Sequence, residues 1–133
     1  MMIKVVDFRR LKGRSSPNTY LCYPNGFDCA LTADDSSPIF SVDATQLKNC
    51  WWQLLKKERS VNVIHDDASL RRMVCVQRSR IFKFPDIIDV QFIVMTEEKS
   101  SLAVYSRSKY GYYDLGVNRR RVLSWLKRLS DLT

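Results

Sequence analysis

The 133-residue chain holds one histidine, four glycines and four prolines, and no apolar run in it approaches the ~20 residues that a bilayer-crossing helix needs. Each scarcity excludes something. A zinc site takes about four nitrogen or sulfur ligands, yet His65 is alone and Cys22, Cys29, Cys50 and Cys75 contain no C-x-x-C pair. No metal and no other cofactor is expected. Any Ser/His or Cys/His nucleophilic pair would have to use His65, which precedes Asp66 and Asp67 and reads as a turn residue. Four glycines are too few for a phosphate-cradling loop of the usual kind, and no G-x-S-x-G, P-loop, G-x-G-x-x-G or H-E-x-x-H spacing occurs. Lys4 and Asp7 interrupt the N-terminus where the apolar core of a secretory signal would lie. The expected setting is the cytoplasm, away from membranes, with Cys50 and Cys75 as small buried hydrophobes.

Acidic residues are also scarce. Fourteen Asp and Glu against 22 Lys and Arg leave a net charge of +8, which favours anionic partners without naming one. What remains is ordinary: 45% hydrophobic and 27% charged residues describe a single globular domain over 1–133. A chain of this length buries roughly two-thirds of its unfolded surface and can hold a core without staples.

Turn chemistry punctuates the first forty residues: Gly13 to Asn18, Pro24-Asn25-Gly26, and Asp34 to Pro38. They read as an irregular N-terminal arm with at most short strands. Asp43, followed three residues on by Gln46, has the pattern of a capping box. Leu47, Cys50, Trp51, Leu54 and Leu55 then recur at helical spacing, giving one apolar stripe that ends near Arg59. Trp52 lies off that stripe. Strand patterns follow over Val61 to Ile64, Leu70 to Arg78, Ile88 to Val94 and Leu102 to Ser106, joined by short connections that predict an antiparallel meander. A last helix is expected from Asn118 as N-cap, with Val122, Trp125, Leu126, Leu129 and Leu132 buried. The expected architecture is an α+β two-layer sandwich, an antiparallel meander sheet with two helices packed on one face.

The segment from Ser106 to Arg121 is the most informative. It leaves a strand, passes Gly111 and Gly116, and enters a helix with Arg119, Arg120 and Arg121 in its first turn, where cations cost roughly 0.3–1 kcal/mol each. Something must compensate. One answer is an anion held by Ser106, Ser108, Lys109, Asn118, Arg119 and Arg121 with the backbone N–H groups of the helix start. The other is a structural clamp in which Asp86 or Asp114, with Asp89 or the Asp34-Asp35 pair also at hand, meets the arginines while Gly111 and Gly116 shape the turn.

Ser106-x-Ser108-Lys109-x-Gly111-x-x-Asp114-Leu115-Gly116-x-Asn118-Arg119-x-Arg121-Val122 resembles the C-terminal signature of an uncharacterised bacterial and plastid family, domain of unknown function 1499. Ser16-Pro17-Asn18 and Phe84-Pro85-Asp86 are similar to its two other recurring features. The resemblance implies a shared core and a candidate site, and brings no activity, substrate or cofactor. The family usually has Arg at the positions of Tyr105 and Lys109, so an anion contact through those guanidiniums is not carried over.

The functional expectation is a small basic, non-catalytic binding domain that takes an anionic small molecule at 106–121, or else has a protein partner. One alternative is nucleic-acid binding, on the basic residues from Arg71 to Lys83 and from Arg107 to Arg128 with Tyr110, Tyr112 and Tyr113 among them. The other is hydrolysis of an anionic substrate, with Asp114 as acid/base and the arginines as clamps.

Overall fold

Asp43 adopts extended backbone and its carboxylate accepts a hydrogen bond from the Gln46 N–H, so the first helix, α1, starts at Ala44 and runs to Lys56. The computed structural model describes residues 5–12, 18–78, 84–109 and 115–133. Only half of the expected capping box forms, because the Gln46 side chain bonds the Cys50 thiol instead. The second helix, α2, spans Val117–Leu132 and has Gly116 at its N-cap position, left-handed at φ 77°. Asn118 is therefore not the cap. It lies inside the first turn, fully buried, where its amide serves the sheet rather than the helix end.

Six strands form one sheet in the order β2-β1-β6-β5-β4-β3. Strands β3 (Val61–Asp67), β4 (Arg72–Arg78), β5 (Pro85–Val94) and β6 (Ser100–Ser108) are the expected antiparallel meander, each longer at one end or both than its apolar pattern except β4. The irregular arm contributes more than expected. Its β1 (Thr19–Tyr23) pairs antiparallel with β6, and the two-residue β2 (Asp35–Ser36) lies parallel to β1, making the sheet mixed. The chain turns at Pro24-Asn25-Gly26 and returns along β1, where Asp34 accepts from the Leu21 N–H and gives its own N–H to the Leu21 carbonyl.

Both helices pack on one face of the sheet, as an α+β sandwich requires. Trp51 lies at its centre, edge-on to Phe92 at 6.3 Å and to Trp125 at 5.6 Å between ring centroids. Alternation along β4 sends Met73 and Cys75 to the helices and Val74 and Val76 to the other face. That second face is not left to solvent. A 3₁₀ turn, Phe8–Arg10, and the coil after β1 cover it, with Phe8, Leu21, Ala103 and Tyr105 buried together and Val5 against Val74, Val76 and Ile87. Double-sided burial is why β4, β5 and β6 carry near-continuous apolar runs rather than clean alternation. Trp52 is half-buried against the helix-side core. Among the described residues no helix is long and apolar enough to cross a membrane.

Cys22, Cys50 and Cys75 are buried and unpaired, and Cys29 is half-buried. Burial pushes the thiols of Cys22 and Cys75 up to about 12. An acid whose folded pKa is raised stabilises the fold fully below its unfolded value and loses that contribution as pH rises towards the folded one. Urea denaturation should therefore show stability falling between about pH 9 and pH 12, and Cys75→Val should flatten part of the fall. At Gly116 a side chain must adopt left-handed backbone, and its Cβ would also meet Arg120 Nη1 at 3.3 Å. Gly116→Ala should cost about 1–2 kcal/mol in the same assay.

Candidate functional site

Strand alternation puts Gln77, Asp86, Ser106 and Ser108 on the helix-facing side of the sheet, at its end nearest the start of α2. Register aligns them: Gln77 is paired with Asp86, and Asp86 with Ser108. On α2, Asn118 and Arg121 are three residues apart and so share the face turned to this row.

The Arg121 guanidinium is held on several sides. Its Nε donates to Gln77 Oε1 at 2.7 Å, Nη1 to Asn118 Oδ1 at 2.8 Å and Ser106 Oγ at 3.1 Å, and Nη2 to Asp86 Oδ2 at 2.7 Å. The Ser106 hydroxyl donates to Asn118 Oδ1 at 2.6 Å, while Asn118 Nδ2 donates to Ser108 Oγ and to the Asn18 carbonyl. Backbone bonds close the cluster, from Ser108 N–H to the Asn18 carbonyl and from Lys109 N–H to the Pro85 carbonyl. The side chains of Arg121 and Asp86 are only 7% and 10% exposed. Asn18, Pro85-Asp86 and the 106–121 segment, far apart in sequence, thus converge on one guanidinium.

These are the segments of a known family signature. The chain belongs to the family described as Protein of unknown function (DUF1499), whose model matches residues 20–129. No curated protein and no solved structure matches the chain.

In this DUF1499 domain the structure brings Ser106, Ser108, Asn118, Arg121 and Asp86 together, with Lys109 joined through its backbone. Arg119 turns the other way, to the Tyr20 hydroxyl on β1. Arg120 is exposed and donates to the Leu115 carbonyl at 2.7 Å. Gly111 and Asp114 lie outside the described residues, as do Tyr110, Tyr112, Tyr113, Arg80 and Lys83. His65 is exposed on the outer strand β3, and among the described residues no three of His, Cys, Asp and Glu cluster as a metal site would need.

Beside the buried network lies an open cleft of about 400 Å³ between the end of α1 and the start of α2, lined by four arginines, Arg59, Arg78, Arg120 and Arg121, against two carboxylates, Glu58 and Asp86. Both carboxylates are engaged. Glu58 accepts from the Trp125 indole at 3.0 Å and pairs with Arg128, and Asp86 holds Arg121. Among the described residues neither Arg59 nor Arg120 meets a carboxylate; Arg59 donates to Ser60 Oγ and Arg120 to Leu115. Sequence reasoning passed over Arg59 and Gln77. Gln77 did leave a signal, as the polar residue that continues the Met73, Cys75 row.

Arg107 and Arg72 do not join this cleft. Arg107 is on the opposite face, paired with Asp89 at 2.7 Å and stacked over the Tyr105 ring at 5.0 Å, and Arg72 stands near Asp7.

Arg121→Met should destabilise the domain by about 3–5 kcal/mol, because it leaves Asp86 as a buried charge without its partner. Pairing it with Asp86→Asn should recover part of that loss, a non-additivity that a double-mutant cycle of urea midpoints will measure.

Proposed function

We propose that this domain is a non-catalytic binding module for a small anionic molecule, held in the cleft beside the start of α2. One observation carries the reading: Arg59 and Arg120 open onto the same cleft as the immobilised Arg121 and meet no carboxylate among the described residues. Guanidinium groups match phosphate and carboxylate oxygens bidentately. The first turn of α2 adds N–H groups with positive partial charge.

The hydrogen-bond pattern divides the labour. Ser106, Ser108, Asn118 and Arg121 direct their polar groups at one another and position the wall, while Arg59 and Arg120 meet the ligand. Asp86 has no role as acid or base here, being committed to Arg121. Three of the four cysteines serve as buried apolar residues, which suits the reducing cytoplasm.

Inorganic phosphate or sulfate should raise the melting temperature of the parent protein; at a hundred times its dissociation constant the gain is about 2.7 kcal/mol. Arg59→Ala with Arg120→Ala should abolish the shift and leave the unliganded melting point within about 2 °C, since surface changes lie within ±0.5 kcal/mol. No shift from phosphate, sulfate or simple carboxylates would overturn the reading. A shift given only by short RNA and lost at moderate salt would replace it with nucleic-acid binding.

A further inference from the structure

The opposite face of the sheet holds a second cavity, of about 400 Å³, where the coil after β1 passes over β4 and β5. Its apolar wall is formed by Phe27, Leu70, Ile93 and Met95, with Arg9 and Asp28 also lining it. Leu70 and Met95 are 54% and 40% exposed, unusually open for side chains of their size beside a buried sheet. Phe27 is fixed in place by rings at 5.9 Å (Phe8) and 5.6 Å (Tyr23).

Two polar side chains from adjacent strands share the floor. Arg72 and Gln91 are direct cross-strand partners on β4 and β5. The Arg72 Nε is buried and has no hydrogen-bond partner among the described residues, and its Nη2 stands 3.8 Å from Asp7 Oδ1, beyond hydrogen-bond distance. Gln91 is half-buried, and its amide makes no hydrogen bond to the described residues. Buried polar groups are normally satisfied, so a cavity-lining guanidinium with one N–H unmet and its ion pair beyond hydrogen-bond distance is a group that an added acceptor would serve. An apolar cavity with a few convergent polar groups is the usual form of a small-molecule site.

We infer that this cavity binds a small carboxylate with an apolar body, the carboxylate on Arg72 and Gln91 and the body against Phe27, Leu70, Ile93 and Met95. The site is independent of the α2 cleft, being on the other side of the sheet.

Octanoate is the probe, titrated into the full chain by calorimetry. Saturable 1:1 binding is expected, at least tenfold weaker for octanol, which has the chain without the charge. Arg72→Gln should weaken octanoate tenfold or more. Leu70→Ser, at an exposed position where the fold is not at risk, should weaken it severalfold. Arg59→Ala with Arg120→Ala should bind octanoate as the parent does, which separates this site from the α2 cleft. Absence of saturable binding, equal affinity for octanol, or octanoate affinity unchanged in both Arg72→Gln and Leu70→Ser would overturn the inference.

Discussion

The buried pair of Arg121 and Asp86 is the constraint around which the molecule is arranged. Two charges removed from water are tolerated only when nearly every donor and acceptor around them is satisfied. That requirement reaches outward. It places Gln77 at the end of β4 and Ser106 on β6, draws Asn118 into the first turn of α2, and through Asn118 pins the chain at Asn18 before β1. An apolar stripe alone would let α2 slide along the sheet or rotate by a few degrees without penalty. Directional bonds to three strands leave it one register. The arginines at the start of α2, unfavourable against the helix dipole, are explained by where each one ends: Arg121 on Asp86, Arg119 on Tyr20 and Arg120 on the Leu115 carbonyl.

A sheet buried on both faces gives the domain two chemically separate sides. The helix side has the polar cluster and a cationic cleft. The arm side has Arg107 with Asp89, a ring under Arg107, and an apolar cavity with Arg72 in its floor. Strand alternation enforces the split, since Arg72 and Gln77 differ by an odd number of positions and therefore point to opposite faces. Among the described residues the arginines are thus divided between the two surfaces.

Much of this architecture could be read in the residues. The helix-spaced stripes of Leu47 to Leu55 and Val122 to Leu132 are long and regular, and both helices lie where those stripes place them, except that Leu132, in the last turn of α2, is exposed rather than buried. The meander was legible because β3 to β6 are joined by short connections. The arm was not. Residues such as Val5, Phe8 and Leu21 are isolated apolar positions among turn formers, and their burial depends on a surface made by strands far along the chain. Parallel pairing of β2 to β1 has no local signature either. Of the site, the neighbourhood of Ser106, Asn118 and Arg121 was visible as a motif, but the partition between inward and outward arginines was not. Helical phase tells that Arg121 follows Asn118 onto one face; the choice of that face over the one holding Arg120 is made by Asp86 and Gln77, which only the folded sheet brings near.

The pairing of β1 with β6, Thr19 opposite Arg107, bears on how the chain reaches this state as it is made. During synthesis β1 leaves the ribosome well before β6, its antiparallel partner, has been made. The meander can close on itself while it emerges, hairpin by hairpin, yet β6 keeps an open flank until β1 pairs with it. Such long-range closure is slow compared with local pairing. The bond from Asn118 to the Asn18 carbonyl then works as a latch that closes late, when α2 captures the segment just before β1.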